Sequence, residues 1–258
     1  MSVALERGMA ILEILSSESL GVPISEIAER LNIPLSAAHR LLSSLVELGY
    51  VHQPRDMGDY KLSLKAVSLG LRFLSRNTLV DLARPLLDDL AERSGELSRL
   101  GLVDGERLVW VTKALGTKVG LRYDPDNGAV APLYCTASGV MWLSSKPDEE
   151  AIEIIKRQGP FDRSAHGPGA PQSLEEFLSR LRRARAEGYA CVSNSSEIGT
   201  SAMAAPIVGA NGETIGVLTL AGPMIRMTEE RMGELAPLLK RAAEALSHID
   251  SRLFVTHA

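Results

Sequence analysis

The sequence predicts an α+β chain: an N-terminal winged helix-turn-helix, a linker helix, and a C-terminal α/β domain built on an antiparallel sheet. Three observations carry this prediction. Three short apolar stripes at helical spacing fill the first fifty residues and lead into a hairpin pattern. One more stripe, interleaved with basic residues, follows the hairpin. From Leu79 onward helical stretches alternate with apolar runs joined by Asp104-Gly105 and Asn211-Gly212, the second a strong hairpin signal. The predicted units are the winged helix-turn-helix at 1–62, the linker helix at 63–78 and the α/β domain at 79–258.

In the first helix Leu5, Met9, Leu12 and Leu15 form one stripe, ended by Gly21 and Pro23. Ser25 is expected to cap the second helix, with Glu26 in its first turn ahead of Ile27, Ala28 and Leu31, and Asn32 to close it. Pro34 can open the third helix because no N–H is needed there, and Ala38, Leu41, Leu42, Leu45 and Leu48 mark its inner face up to Gly49. Its opposite face presents Ser36, Arg40, Ser43 and Glu47, flanked by His39. Strands at 50–53 and 60–62 around a turn at 56–59, with Gly58 in the turn, complete a winged helix-turn-helix whose wing carries Arg55 and Lys61. Any three-helix packing unit produces similar stripes, so the pattern alone leaves that reading open.

Leu64, Val67, Leu71 and Leu74 then repeat at three, four and three, with Lys65, Arg72 and Arg76 between them. The seam is too short for a free coiled coil, so it is either a linker helix that packs on a second copy or a surface helix of its own domain. Beyond it a helix spans 79–94, in which Pro85 should begin a new turn or a kink. Strands follow at 97–103, 108–113 and about 119–123, then helices at 135–145 and 149–157 and a Gly/Pro-rich loop at 159–171. Ser173 caps the next helix, which turns Leu174, Phe177, Leu178 and Leu181 inward and stops at Gly188. Strands at 189–193, 203–208 and 214–220 precede a closing helix with the seam Met232, Leu235, Leu239, Ala242, Leu246 and Ile249.

Composition narrows the function classes. With 258 residues, 45% hydrophobic and 23% charged, the chain has ordinary globular makeup, and its net charge of −4 argues against a bulk polyanion binder. The distribution is uneven: residues 1–30 hold two cations against five acids, and residues 31–76 hold six cations against three acids. A small basic face beside an acidic one suits a DNA-binding module. Cys135 and Cys191 lie far apart without a CxxC or clustered histidines, so neither a disulfide scaffold nor a metal site is expected, and a reducing cytoplasm fits. The acids Glu6 and Glu13 in the first segment, and the lack of any long apolar stretch, predict neither secretion nor a membrane span.

These motifs line up with one family. The string ERGMAILEIL, then ISEIAERLNIPLSAAHRLLSSLVELGYV, then YKLSLKAVSLG resembles the DNA-binding half of IclR-family transcriptional regulators. PLYCTASGVMWLS, LRRARAEGYACVSNSSEIGTSAMAAPIVGANGETIGVLTLAGP and the closing helix are similar to the family's effector-binding half. The match runs in order and spacing from about Glu6 to about His248. The resemblance implies a GAF-like effector-binding and oligomerisation domain after the winged helix-turn-helix. It also implies dimers that pair into tetramers, double-stranded operator DNA near catabolic genes as a partner, RNA polymerase as a further one, and a small organic effector. Within that frame Ser36, His39, Arg40 and Ser43 would face the DNA and Arg55 and Lys61 the flanking backbone.

The effector pocket implied by the resemblance is lined by Thr136, Ala137, Ser138, Gly139, Val192, Ala202, Thr219 and Ala221. Departures from the family pattern are informative. Leu35 stands where a polar or basic residue is frequent, Asn194 and Ser195 where many members are acidic, and Val140 where lysine is frequent. Val192 stands where small-acid binders are acidic, Ala202 replaces a common cysteine, and Thr219 and Ala221 take the place of serines. The pocket is therefore expected to be less polar than in those relatives. Only the N–H groups of the 136–139 turn and Thr219 would hold an anion, an aromatic or apolar acid is favoured over two- or three-carbon acids, and Trp110, Trp142 and Met203 are candidates for the wall.

Competing assignments are weaker. Ser138 lacks a GxSxG elbow and a nearby base, so no catalytic residue or cofactor is expected, and a helix-start turn that receives a ligand carboxylate fits better. The two cysteines read as packing residues, and Arg180, Arg182, Arg183 and Arg185 as a solvated helix face. Two function classes follow: a ligand-controlled transcription factor, which the resemblance implies is a repressor or dual regulator of catabolic genes, and a small-molecule enzyme on an α/β domain with a helical appendage. The missing constellation of nucleophile, base and metal favours the first.

Overall fold

The computed structural model describes residues 2–54, 58–75, 78–117, 120–159 and 166–248, in two compact units, Met1–Arg76 and Asn77–Ala258. The division falls two residues short of the expected end of the linker helix. Unit one holds α1 (Val3–Ser16), α2 (Ile24–Arg30), α3 (Leu35–Glu47), β1 (Val51–His52), β2 (Lys61–Leu62) and α4 (Leu64–Leu74). Its core gathers Ile11 and Leu15 of α1, Ile27 of α2, Leu42 and Leu45 of α3, and Val51 and Tyr60. The stripe expected on α1 holds in its second half, where Leu15 is buried and Leu12 packs on the core. Leu5 and Met9 are exposed, and the buried line runs through Ile11 and Leu15 because an i, i+4 pair there meets α3.

The joint between α2 and α3 is set by one residue. Asn32 takes φ +49°, its N–H donates to Glu29 O, and the Ile33 N–H reaches Ala28 O, with Ile33 and Ala28 packed together. That is a Schellman closure, and asparagine is among the few residues that tolerate the left-handed conformation. Gly49, at φ +77°, closes α3 in the same way and leaves Leu48, which was expected inside, exposed at the cap. Pro23, not Ser25, occupies the N-cap of α2, so Ser25 lies inside the first turn. The strands pair Val51 with Leu62 and His52 with Lys61, and Tyr60 bridges Val22 to add a third rung. Lys65 Nζ donates to Leu48 O at 2.6 Å and lies 4.8 Å from the Tyr50 ring, which ties the start of α4 to the end of α3. No residue of α4 is buried, and Leu64, Val67, Leu71 and Phe73 are exposed.

Unit two is a five-stranded antiparallel sheet in the order β4-β3-β7-β6-β5 between two helical layers. Its elements are α5 (Thr78–Ser94), β3 (Leu97–Asp104), β4 (Arg107–Leu115), α6 (Ala137–Ser144), α7 (Asp148–Gln158), α8 (Leu174–Glu187), β5 (Ala190–Ser193), β6 (Thr200–Val208), β7 (Thr214–Pro223) and α9 (Glu229–Ser247). Period-two alternation sorts the central strands. Leu100, Met203, Leu218 and Leu220 face α5 and α9, whereas Val192, Ala204 and Val217 face α6 and α8. The α9 seam thus lies on its own sheet, and Ile249 falls outside the described residues. Ser173 accepts the Glu176 N–H and Gly188 adopts φ +70°, as expected of the caps of α8, while Leu174 at its first position stays exposed. Pro85 neither restarts nor breaks α5, which runs unbroken through it. Residues 120–123 form no strand. Instead β4 is followed on its outer edge by an irregular segment in which Val130 bridges Val109. Of the 159–171 loop, 160–165 lie outside the described residues.

Candidate functional site

Two surfaces gather the residues that sequence reasoning singled out. On α3, Ala38, Leu42 and Leu45 are buried at spacings of four and three, which turns Ser36, His39 and Arg40 to solvent and leaves Ser43 half-buried. The hydroxyl of Ser43 lies 3.5 Å from His39 Nδ1. Arg40 makes no ion pair among the described residues, whereas Arg30 on α2 is bound to Glu18 at 2.9 Å and to Glu26. Among the described residues Arg40 thus offers a cation without an ion pair on the exposed face of α3, beside Ser36 and His39. On the wing, the stem of Lys61 lies over Gly21, where a Cβ would meet its Cγ at 2.8 Å. Arg55 lies outside the described residues.

In unit two a small cavity, about 40 Å³, opens between the α6 N-terminus and the sheet. Strand pairing brings its wall together: Val192 faces Ala202, Ala202 faces Ala221, and Arg99 faces Thr219 across the β5-β6-β7-β3 register. Of the expected pocket residues, Thr136, Ala137, Ser138, Val192, Ala202, Thr219 and Ala221 line it. Gly139 does not. Its N–H is taken by Thr136 Oγ1 at 3.0 Å, and a Cβ there would come within 2.2 Å of Leu133 O, so glycine is required for close packing of α6. The N-cap leaves the first-turn N–H groups of Ala137 and Ser138, which a helix cannot satisfy itself. Ser138 Oγ is 2.8 Å from Thr219 Oγ1 and accepts from Trp110 Nε1 at 3.4 Å.

Arg99 is the residue that sequence reasoning missed. It occupies the middle of β3, a position where alternation predicts an ordinary inward side chain, and no motif marks it. It is 2% exposed, its guanidinium stacks 4.0 Å from the Trp110 ring centroid, and Nη2 donates to Asp126 O at 2.8 Å. Nε is buried with no acceptor. Burial pulls its pKa down to about 10, so it remains a cation at neutral pH. The expectation that only helix N–H groups and Thr219 face an anion is therefore corrected. Tyr123, also on the wall, donates to Glu197 Oε1 at 2.7 Å, and burial raises its pKa. Of the aromatic and sulfur wall candidates only Trp110 lines the cavity: Met203 faces α9 on the other side of the sheet, and Trp142 is buried among α6 and its neighbours.

Other groups are structural. Asn194, at φ +53°, accepts the Gly199 N–H through Oδ1, and Ser195 Oγ donates to Cys135 O. These two positions hold the turn between β5 and β6. Burial pushes both thiols up to about 12. The arginines of α8 are more engaged than a solvated face implies: Arg180 donates to Gly169 O and Arg185 to Ser144 O, and Arg183 pairs with Glu187 and Glu229. Among the described residues Ser138 has no neighbouring base and no cluster of metal-ligating side chains occurs. No described helix is long and apolar enough to cross a membrane.

Comparison with known proteins gives a consistent result. The family model for the bacterial transcriptional regulator IclR C-terminal region matches residues 71–248, and that for the IclR helix-turn-helix domain matches residues 4–55. The transcriptional repressor IclR of Escherichia coli is 24% identical over 246 residues, which cover 95% of this chain and 88% of that protein. An IclR transcriptional regulator from Alicyclobacillus acidocaldarius shares the fold with a TM-score of 0.82 at 23% identity, over 96% of this chain and 98% of the other. An IclR homologue from Microbacterium hydrocarbonoxydans, solved in complex with 4-hydroxybenzoate, has a TM-score of 0.77 at 22% identity over 95% and 97% of the two chains. With a DNA-binding helix-turn-helix and an effector-binding domain matched in sequence order across nearly its whole length, the chain belongs to the IclR family of bacterial transcriptional regulators.

Proposed function

We propose that this regulator is a cytoplasmic repressor of catabolic genes that binds a near-palindromic operator as a homodimer and releases it when a small organic effector enters the cavity of unit two. The observation that carries this reading is the exposed polar face of α3, where Arg40 makes no ion pair among the described residues and stands beside Ser36 and His39, on a helix whose entry is set by the Asn32 turn. In the major groove Arg40 reads a base edge, Ser36, His39 and Ser43 add short contacts, and Lys61 with Arg55 holds the flanking backbone. One arginine and a few short side chains read only a short half-site, so two-fold symmetry supplies the rest. The unburied apolar residues of α4 support a partner copy there, and residues 79–258 pair dimers into a tetramer. Operator occupancy competes with RNA polymerase. The effector is not turned over, because Ser138 is bonded to Thr219 and Trp110 and to no base. The repressor reading also draws on the relatives' names.

Selection of operator duplexes from a randomised library by the full-length chain, followed by fluorescence anisotropy at several salt concentrations, tests this reading. Two inverted half-sites about one helical turn apart, bound with a steep salt dependence, are expected. No enriched sequence, or an asymmetric one, opposes it.

A further inference from the structure

We infer that Arg99, which no family motif marks, anchors the carboxylate of the organic acid expected as effector. This rests on the reading of the unit-two cavity as the effector site. A guanidinium that is 2% exposed needs compensation, since a buried cation without a counter-ion is costly. Arg99 has little of it. No carboxylate of the described residues forms an ion pair with it, one side-chain hydrogen bond runs to the Asp126 carbonyl, and Nε points at no acceptor. The charges of Glu197 and Asp126 act on Arg99 at a distance, but neither carboxylate pairs with it, and Glu197 is exposed and accepts the Tyr123 hydroxyl. The Trp110 ring compensates part of the charge but satisfies no N–H.

The remaining polar lining is hydroxyls and the helix end, with no carboxylate. The first-turn N–H groups of Ala137 and Ser138 carry the positive end of α6, and Ser138 and Thr219 present hydroxyls that donate as readily as they accept. Arg99 sits beside Thr219 in the β3-β7 register, so guanidinium, hydroxyl pair and helix end converge on one space. No acid lines that space. A carboxylate is the group whose two oxygens take the orphaned Nε with a hydroxyl or helix N–H, and a guanidinium recognises it by geometry as well as charge. The remaining lining, Ala137, Val192, Ala202 and Ala221, is small and apolar, which suits an apolar body beyond the carboxylate. The cavity of about 40 Å³ takes the carboxylate and little more. A larger ligand therefore seats only as Trp110 leaves the guanidinium, and the ligand replaces the ring as the partner of Arg99.

The test uses the full-length chain with propionate, hexanoate, phenylacetate and benzoate, each beside its neutral amide, read by thermal shift and by tryptophan fluorescence. At least one acid is expected to raise Tm and change the Trp110 signal, with its amide about tenfold weaker or worse. Arg99→Met, which removes an uncompensated charge, is expected to fold with an unchanged or higher Tm and to lose the preference for acid over amide. Arg99→Lys keeps the charge without the Nε fork and serves if the methionine variant fails to fold. Retained preference in the folded variant, or equal binding of acid and amide by the wild type, or no acid binding at all, overturns the anchor. Ala202→Phe fills the cavity floor and separates the two levels. If it leaves acid binding intact, the cavity is not the effector site; if it abolishes binding while Arg99→Met does not, only the anchor is wrong.

Discussion

Ser138 Oγ and Thr219 Oγ1 lie 2.8 Å apart, a single buried contact that pins the first turn of α6 to the central strand β7. Both residues are nearly inaccessible, so removing the Thr219 hydroxyl leaves Ser138 with the Trp110 N–H alone, and removing Ser138 leaves the Thr219 hydroxyl without this partner. Thr219→Val is expected to cost about 1–3 kcal/mol in urea denaturation, and the double variant with Ser138→Ala less than the sum of the singles. Strict additivity would show that the two hydroxyls do not depend on each other.

The left-handed turn at Asn32 sets the angle between α2 and α3. Asn32→Gly should change stability by only a few tenths of a kcal/mol, whereas Asn32→Val should cost about 1–2 kcal/mol or more and weaken DNA binding with it. Chemical denaturation and anisotropy on the two variants check this, and a stable valine variant with unaltered DNA affinity would contradict it.

Arg40 and Lys61 are expected to behave differently on DNA. Arg40→Ala should cost about 1–3 kcal/mol on the selected operator and relax specificity at one position, and Lys61→Ala should weaken all duplexes alike and lower the salt slope by about one. An equal loss of operator and random-duplex binding for Arg40→Ala would remove its base-reading role.

The exposed apolar face of α4 has a measurable consequence. If α4 pairs with a second copy as proposed, Leu71→Glu should give a monomer in sedimentation and abolish operator affinity, because half-site spacing would then be enforced by a symmetric pair. A monomeric wild type that still binds the operator tightly would refute the assembly.

Both thiols should be silent to thiol reagents at pH 8 in the folded protein and react on denaturation. Burial holds each near 12, so the thiolate fraction stays negligible until the pH approaches that value. Rapid labelling of the native protein would mean that Cys135 or Cys191 opens locally.

Local chemistry and period made much of this protein readable without coordinates. The stop at Asn32, the N-cap Ser173, the Gly188 stop and the Asn211-Gly212 hairpin depend on a few adjacent residues, and each appears where the sequence puts it. Most of the pocket was legible too, because a resemblance in spacing carries strand register with it. What depended on tertiary structure is where distant segments meet. On α1 tertiary packing left Leu5 and Met9 of the expected stripe exposed and buried Ile11 beside Leu15, since several apolar lines on one helix satisfy the same spacing. Residues 120–123 form no strand although their apolar pattern allowed one: β4 has β3 on one side, and its other edge is taken by residues 128–131, through the Val109–Val130 bridge and a hydrogen bond from Gly128 N–H to Trp110 O. Arg99 was invisible for the same reason. A charge in the middle of a strand announces nothing by itself, and its meaning comes from Trp110, Thr219 and the α6 terminus, which the sheet brings to it from 11, 120 and about 38 residues away.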